Sequence, residues 1–237
     1  MSSTRTATEY LAGLLQCEKG HANMERMEEK VEDSDYKRYI HFLSVSNWSA
    51  PAVNNATLRE TDKLLRVQKK QSSLPTGLVL DETSHLKKGP KSVGVARQYA
   101  GVAGKVDNCQ VTVHASLANA NKEEYTNKEW GYFQSNRYWV ERCFDDCKNE
   151  LGMSDYQVTG WLAWQHHMAL VLMASLYILN LKLEQQEEIL LLSVRDARLL
   201  VIAITFATKK EVDLCLEHIR IRHQKRQADI DRYYKKT

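Results

Sequence analysis

The sequence predicts an α+β chain, mostly helical, with one small antiparallel sheet. Two observations predict it. Apolar residues recur at three- and four-residue spacings from residue 6 to 70, and again from about 137 to the C-terminus. Between them, from 78 to 117, the period falls to two.

The elements follow in order. Leu11, Leu14 and Leu15 form an apolar stripe that Met24, Met27 and Val31 continue. Asp33 or Ser34 is placed to cap a second helix carrying Tyr36, Tyr39, Ile40, Phe42 and Leu43. Trp48 and Pro51 mark a turn. A third helix is expected over 55–68, with Leu58, Leu64 and Leu65 inward. The tract from Lys69 to Gly77 reads as a linker. Leu78-Val79-Leu80, ending at Asp81-Glu82, is a short buried strand. Residues 92–99 and 109–117 give two more, joined as a hairpin through Gly101 and Gly104. In the last strand Val111, Val113, Ala115 and Leu117 alternate with Gln110, Thr112, His114 and Ser116, a period of two with one face buried. Val140, Phe144, Cys147 and Leu151 then make the inward stripe of a helix. A long apolar helix is expected over 157–182. Ser193 with Asp196 reads as a capping box, and 210–235 as a charged helix. These pieces divide the chain at 1–73, 74–182 and 183–237.

Composition excludes several classes. Of the 237 residues, 43% are hydrophobic, enough for a sizeable core. The five cysteines are scattered and lack paired zinc-type spacing, which fits reduced thiols in a cytoplasm better than a disulfide framework. The N-terminus has no signal-type apolar region. The apolar run Met168–Leu181 is shorter than the roughly 20 residues a bilayer span needs, so a buried core helix is expected and no membrane. The net charge of +3 is too small to announce nucleic acid by itself.

Three constellations are able to carry chemistry. Asp81 at the end of an apolar strand suits a hard divalent cation, although strand-end aspartates are common in any sheet. Arg137, Glu141 and Lys148 share one helical face, where Glu141 is either a metal ligand between two phosphate-holding cations or half of an ordinary ion pair with Arg137. Lys87, Lys88 and Lys91 in the loop after Asp81, and the basic residues between Arg220 and Lys236, suit a phosphate backbone or simply solvent. His166 and His167 point to different sides of a helix and make a poor metal pair. Cys143 and Cys147 lack a partner motif for zinc.

Read together, these segments resemble one family. LVLDETSHLKKGPKSVGVARQYAGVAGKVDNCQVTVHASLA (78–118) is similar to the first half of the catalytic core of bacterial insertion-sequence DDE transposases, of the insertion-sequence-four-like superfamily with its RNase H-like fold. RYWVERCFDDCKNELGMSDYQVTGWLAWQHHMALVLMA (137–174) resembles that family's final catalytic helix and the one after it. Arg137, Glu141 and Lys148 stand at the three places of its helix motif, while Gln134 replaces the usual opening tyrosine. The stretch YLAGLLQCEKGHANMERMEEKV resembles the helical DNA-binding region, and HIRIRHQKRQADID (218–231) the basic tail.

The resemblance implies three carboxylates around two divalent ions, Mg²⁺ or Mn²⁺, acting on a phosphodiester in cut-and-paste transposition. It implies Asp81 and Glu141 as catalytic and metal-binding, with Arg137 and Lys148 on transposon-end DNA. It also implies a bacterial cytoplasmic, nucleoid-associated location. The expected partner is double-stranded DNA with terminal inverted repeats, and the chain is expected to pair with itself or with a full-length transposase. One part of the pattern is missing. No aspartate lies between Ala118 and Arg137, and no apolar strand precedes the helix, so the family's middle carboxylate and its strands and inserted subdomain are absent. Two carboxylates hold one hard ion weakly, so metal binding and cleavage are expected to be impaired. The core is then a truncated RNase H-like domain with an exposed edge on its first strand. The alternatives are a compact metal-dependent nuclease using a substitute carboxylate, and a non-enzymatic helical interaction or membrane-associated protein.

Overall fold

The computed structural model describes residues 3–71, 76–119, 128–185, 192–206 and 209–234. The chain is mostly helical with one three-stranded antiparallel sheet, an α+β fold as the two periodicities predict. It divides into two units, Met1–Leu176 and Tyr177–Thr237.

The first unit opens with four helices, α1 (Ser3–Gln16), α2 (Met24–Lys30), α3 (Tyr36–Ser44) and α4 (Ala50–Gln71). Tyr10, Leu14, Met24, Met27, Tyr39, Phe42 and Leu43 are buried among them, which realises the expected stripes. The cap of α3 is Asp35 rather than Asp33 or Ser34. A capping residue needs extended backbone, which Asp35 has, and its carboxylate accepts the Arg38 N–H at 2.6 Å. Asp33 lies at φ 58°, in the left-handed region, where it turns the chain instead. Helix α4 begins earlier than expected: Ser49 accepts the Ala52 N–H, and Pro51 falls in the first turn, where its missing donor costs nothing. Leu58 is 58% exposed rather than inward. Most of α4 is solvated and carries local ion pairs, Lys63–Glu60 and Arg66–Asp62, so its few apolar residues do not make a buried face. The helix also runs through Gln71, which shortens the expected linker to 72–75, outside the described residues.

The sheet comprises β1 (Thr76–Leu86), β2 (Val95–Ala100) and β3 (Lys105–Asn119) in the order β1-β3-β2. A 3-10 turn at Gly101–Ala103 and Gly104, at φ 63°, close the β2–β3 hairpin. β3 pairs with β1 along all eleven β1 residues, but with β2 only from Lys105 to Gln110. The end of the sheet that contains β2 is therefore three strands wide. The other end, 76–82 against 113–119, is a two-stranded ribbon.

One face of the sheet is covered, and it is the polar one. Val79, Asp81, Thr83 and His85 stand opposite Ser116, His114, Thr112 and Gln110, and this face meets α5 (Lys128–Glu150) and the loop 151–160. Phe144 of α5 meets the His114 ring with centroids 5.4 Å apart. Ser154 is 2.9 Å from His85 Nδ1, and the Tyr156 hydroxyl donates to Gln110 at 3.0 Å. Val140, Phe144, Cys147 and Leu151 are all buried, as their spacing predicts. The 120–127 stretch, where the missing middle segment is expected to have been, lies outside the described residues.

Helix α6 (Trp161–Glu184) carries the two adjacent histidines, both fully buried and both structural. His166 stacks on Trp48 and has the Leu43 and Trp48 carbonyls at 2.7 and 2.9 Å from its two ring nitrogens. His167 Nδ1 is hydrogen-bonded to the Tyr10 hydroxyl at 2.8 Å. Helix α6 is long and apolar enough to cross a membrane by length and composition alone, but half of its most apolar window is buried within the fold.

In the second unit, α7 (Val194–Phe206) and α8 (Lys209–Tyr234) pack on each other. Ser193 caps α7 by accepting the Asp196 N–H, as the capping-box spacing predicts. The buried Asp196 carboxylate also receives Arg222 at 2.7 Å and His223 at 3.2 Å from α8.

Candidate active site

Asp81 sits at the sixth residue of β1, half-buried on the face that meets α5. Its Oδ1 accepts the N–H of Glu82 at 2.9 Å. In β1, Lys87 N–H bonds Asn108 C=O, which fixes the odd-numbered residues as those bonded to β3. The even-numbered residues, Glu82 among them, turn their backbone groups to the outer edge. Asp81 thus leans toward that edge. Its register partner on β3 is His114.

Glu141 lies on α5 and is exposed. It is one turn before Phe144, the residue that touches His114. Asp81 thus stands in register with the histidine that Phe144 of α5 touches. Arg137 also lies on α5, and its side chain is outside the described residues.

Lys148 reaches down from α5 to β1, and its ammonium donates to the Ser84 carbonyl at 3.1 Å. That carbonyl belongs to the outward set, so Lys148 seals the β1 edge at this point. Burial lowers its pKa. Burial and then the charge of Lys148 lower that of His114. Burial, followed by the charges of Lys148 and Lys87, pushes His85 down to about 3, so His85 is neutral in the fold.

The three loop lysines part company. Lys88 and Lys91 are exposed. Lys87 is turned inward: its ammonium donates to the Ser154 and Tyr156 carbonyls at 3.3 and 3.2 Å and sits 3.8 Å over the Tyr156 ring. Burial holds its pKa down at about 8. A basic loop reads the same in sequence whether its cations face water or a neighbouring loop. Here the loop 151–160 supplies carbonyls and an aromatic face, and Lys87 is drawn into them.

Two residues of this region escaped the sequence reading. His114 stands opposite Asp81 and His85 lies further along the same covered face, and the alternation Asp81, Thr83, His85 and Gln110, Thr112, His114 carries that signal. The Tyr10–His167 and Tyr156–Gln110 contacts join distant segments and leave no local trace.

The model of the DDE superfamily endonuclease matches residues 1–125, more than half of the chain. The chain belongs to the DDE superfamily endonucleases. No curated protein and no solved structure matches it. DDE endonucleases act on DNA and generally use divalent metal ions, which hard carboxylate oxygens hold. In this DDE chain Asp81 stands on the sheet face that meets α5, the helix on which Glu141 is exposed. Among the described residues no group of three His, Cys, Asp or Glu side chains is placed to hold an ion. A pair of metal ions needs ligands that bridge them, so the described set does not fit a two-metal centre.

Proposed function

We propose that this chain is a DNA-binding remnant of an insertion-sequence DDE transposase, impaired in strand cleavage because the segment carrying its middle carboxylate is gone. The observation that carries this reading is the two-stranded ribbon. β1 and β3 run on together past the last β2 partner, with no strand on either flank among the described residues. On the ribbon's uncovered face Leu78, Leu80 and Val113 are 63%, 68% and 72% exposed. An RNase H-like core carries further strands and helices after its third strand, and their removal leaves unpaired edges and an uncovered apolar face of this kind. The family match ends at residue 125, close to the same point of the chain.

Asp81 and Glu141 are then the two surviving carboxylates. Exposed cations remain for DNA: Lys88 and Lys91 in the loop after β1, and Arg220 and Lys225 on α8. The proposed location is the bacterial cytoplasm. Duplex carrying the element's inverted repeats tests the reading in two arms. In a gel shift, binding is expected and should weaken steeply from 50 to 200 mM salt, since each neutralised phosphate releases counterions. In a cleavage assay with Mg²⁺ or Mn²⁺, no strand nicking is expected. Robust nicking that is lost in Asp81→Ala would show a competent centre and overturn the reading of impairment. Salt-insensitive or absent binding would overturn the DNA-binding part.

A further inference from the structure

The ribbon that β1 and β3 form has two properties beyond being uncovered. The first is its backbone. Lys87 N–H to Asn108 C=O and the β2–β3 register together assign every residue a direction. Leu78, Leu80, Glu82 and Ser84 direct their N–H and C=O groups away from β3, to the outer edge of β1. Of these, the Glu82 N–H is taken by the Asp81 carboxylate and the Ser84 carbonyl by Lys148. Among the described residues, nothing takes the outward groups of Leu78 and Leu80, which form an open stretch of edge. The second property is that the same two residues place their side chains on the exposed apolar face, opposite Leu117 and Ala115. Edge groups open among the described residues and exposed leucines coincide.

An edge of this kind accepts an extended strand. Its chemistry narrows the choice of strand. The open stretch is short, and Lys148 closes it at Ser84. A partner must supply apolar residues at alternate positions opposite Leu78 and Leu80, and must not set a carboxylate against Asp81 or Glu82. β1 itself meets all of these conditions. Two copies of β1 paired antiparallel about a two-fold axis between their Val79 residues set Leu78 opposite Leu80 of the other copy, and Leu80 opposite Leu78. Asp81 then falls opposite Gly77 and Glu82 opposite Thr76, so no two carboxylates meet. The pairing stops short of Ser84 on both sides. Shifting the axis to Asp81 or Glu82 would instead oppose like charges, which is destabilising.

We propose that β1 is a dimerisation edge, at which two copies of this chain join antiparallel about Val79 to make one continuous six-stranded sheet. Such a contact is isologous and closes on itself, so it yields a dimer and not a fibre. It extends the apolar face across the axis and gives the outward groups of Leu78 and Leu80 their partners. The inference rests on strand register and exposure, and stands or falls apart from the DNA reading.

The test uses the full chain in sedimentation velocity over a range of concentrations. The wild type is expected to dimerise. Leu80→Lys and Leu78→Glu, each at an exposed side chain, are expected to stay folded and to weaken self-association at least about tenfold, since each breaks two leucine contacts per dimer. An equimolar mixture of the two variants should recover the dimer. In the mixed pair Lys at 80 faces Glu at 78, and the other two leucines face each other. Val102→Lys, at a comparably exposed residue of the 3-10 turn, should leave dimerisation unchanged. Hydrogen exchange gives the second readout: the Leu78 and Leu80 amides should be protected in the dimer and exchange freely in either single variant. A wild type that stays monomeric, a mixture that fails to recover the dimer, or larger assemblies that survive Leu80→Lys would each overturn the proposal. So would amides at 78 and 80 that become protected only when DNA is added, which would make the ribbon a nucleic-acid surface.

Discussion

The two ends of one sheet behave differently. At the end that holds β2, Thr83, His85, Gln110 and Thr112 face α5 and the loop 151–160, while Ser84 and Cys109 face the other way, toward the 3-10 turn and β2. Thr83, Ser84, His85, Cys109, Gln110 and Thr112 are all buried there, although five of the six are polar. At the other end, Leu78, Leu80 and Val113 are apolar and exposed. Hydrophobicity alone would assign the ends the other way. The difference lies in what covers each end. The polar end is satisfied by hydrogen bonds: His85 with Ser154 and Thr112, and Gln110 accepting from the Tyr156 hydroxyl and donating to the Val93 carbonyl, so its burial leaves little unpaired. The apolar end has a face shaped for a neighbour and, among the described residues, no neighbour. Burial in this fold follows the available partners, and the comparison locates where a partner has been lost or is still to be supplied.

The packed end should be sensitive to small changes, and the largest effect of a single substitution is expected at Gly152. It lies at φ 69°, and a Cβ there would fall 2.7 Å from Ala22 Cβ and 3.0 Å from Leu14 Cδ2. Gly152→Ala therefore combines an unfavourable backbone region with a clash between the loop 151–160 and the N-terminal helices. A loss of about 3 kcal/mol is expected in chemical denaturation. An alanine variant as stable as wild type would show that the loop is free to shift, and that the covered end owes its order to something else.

A second way to sharpen the contrast is pH. His85 and His167 are held neutral by burial, each pushed down to about 3, well below the ordinary histidine value. A group whose folded pKa is depressed gives stability that is fully present above its unfolded pKa of about 6.5 and is lost as pH falls toward the folded value. The fold should thus weaken below about pH 6.5, by roughly 2 kcal/mol per histidine at pH 5. The loss should register at the packed end first. Denaturation midpoints at pH 7.5, 6 and 5, with hydrogen exchange at Thr112 and Gln110 as a local probe, check it. Stability that stays flat across this interval would mean that these rings are reached by water.

Much of this was legible in the sequence, for a physical reason. The inward stripe Val140, Phe144, Cys147, Leu151 and the cap at Ser193 are local patterns, and local patterns survive into the fold. The antiparallel hairpin through Gly104 is local too. Asp81 and Glu141 are picked out as single residues by sequence, and the packing of α5 on β1 and β3 is what relates the elements that carry them. What was hidden depends on partners far along the chain. Lys87 reads as a free cation until the loop 151–160 folds back over it. His85 and His114 read as ordinary polar positions of an alternating strand until α5 chooses that face. Period two announces that a strand has two unlike faces, but it carries no information on which one a helix from fifty residues later will cover.

The smallest expected effect lies at the open end, and it is the most discriminating. Replacing Leu80 and Val113 by threonine removes apolar surface that is already in water in the single chain. Threonine keeps the strand conformation, so the stability of the dilute monomer should change by no more than about 0.5 kcal/mol. The same pair of substitutions at a covered apolar position, Val140 and Leu151, should each cost several times more, since those side chains are 1% exposed. Thermal melts at low protein concentration compare the two sets directly. Should the ribbon pair prove as costly as the α5 pair in the monomer, the ribbon is covered within the single chain. The edge, the apolar face and the missing neighbour would then all lose their meaning together.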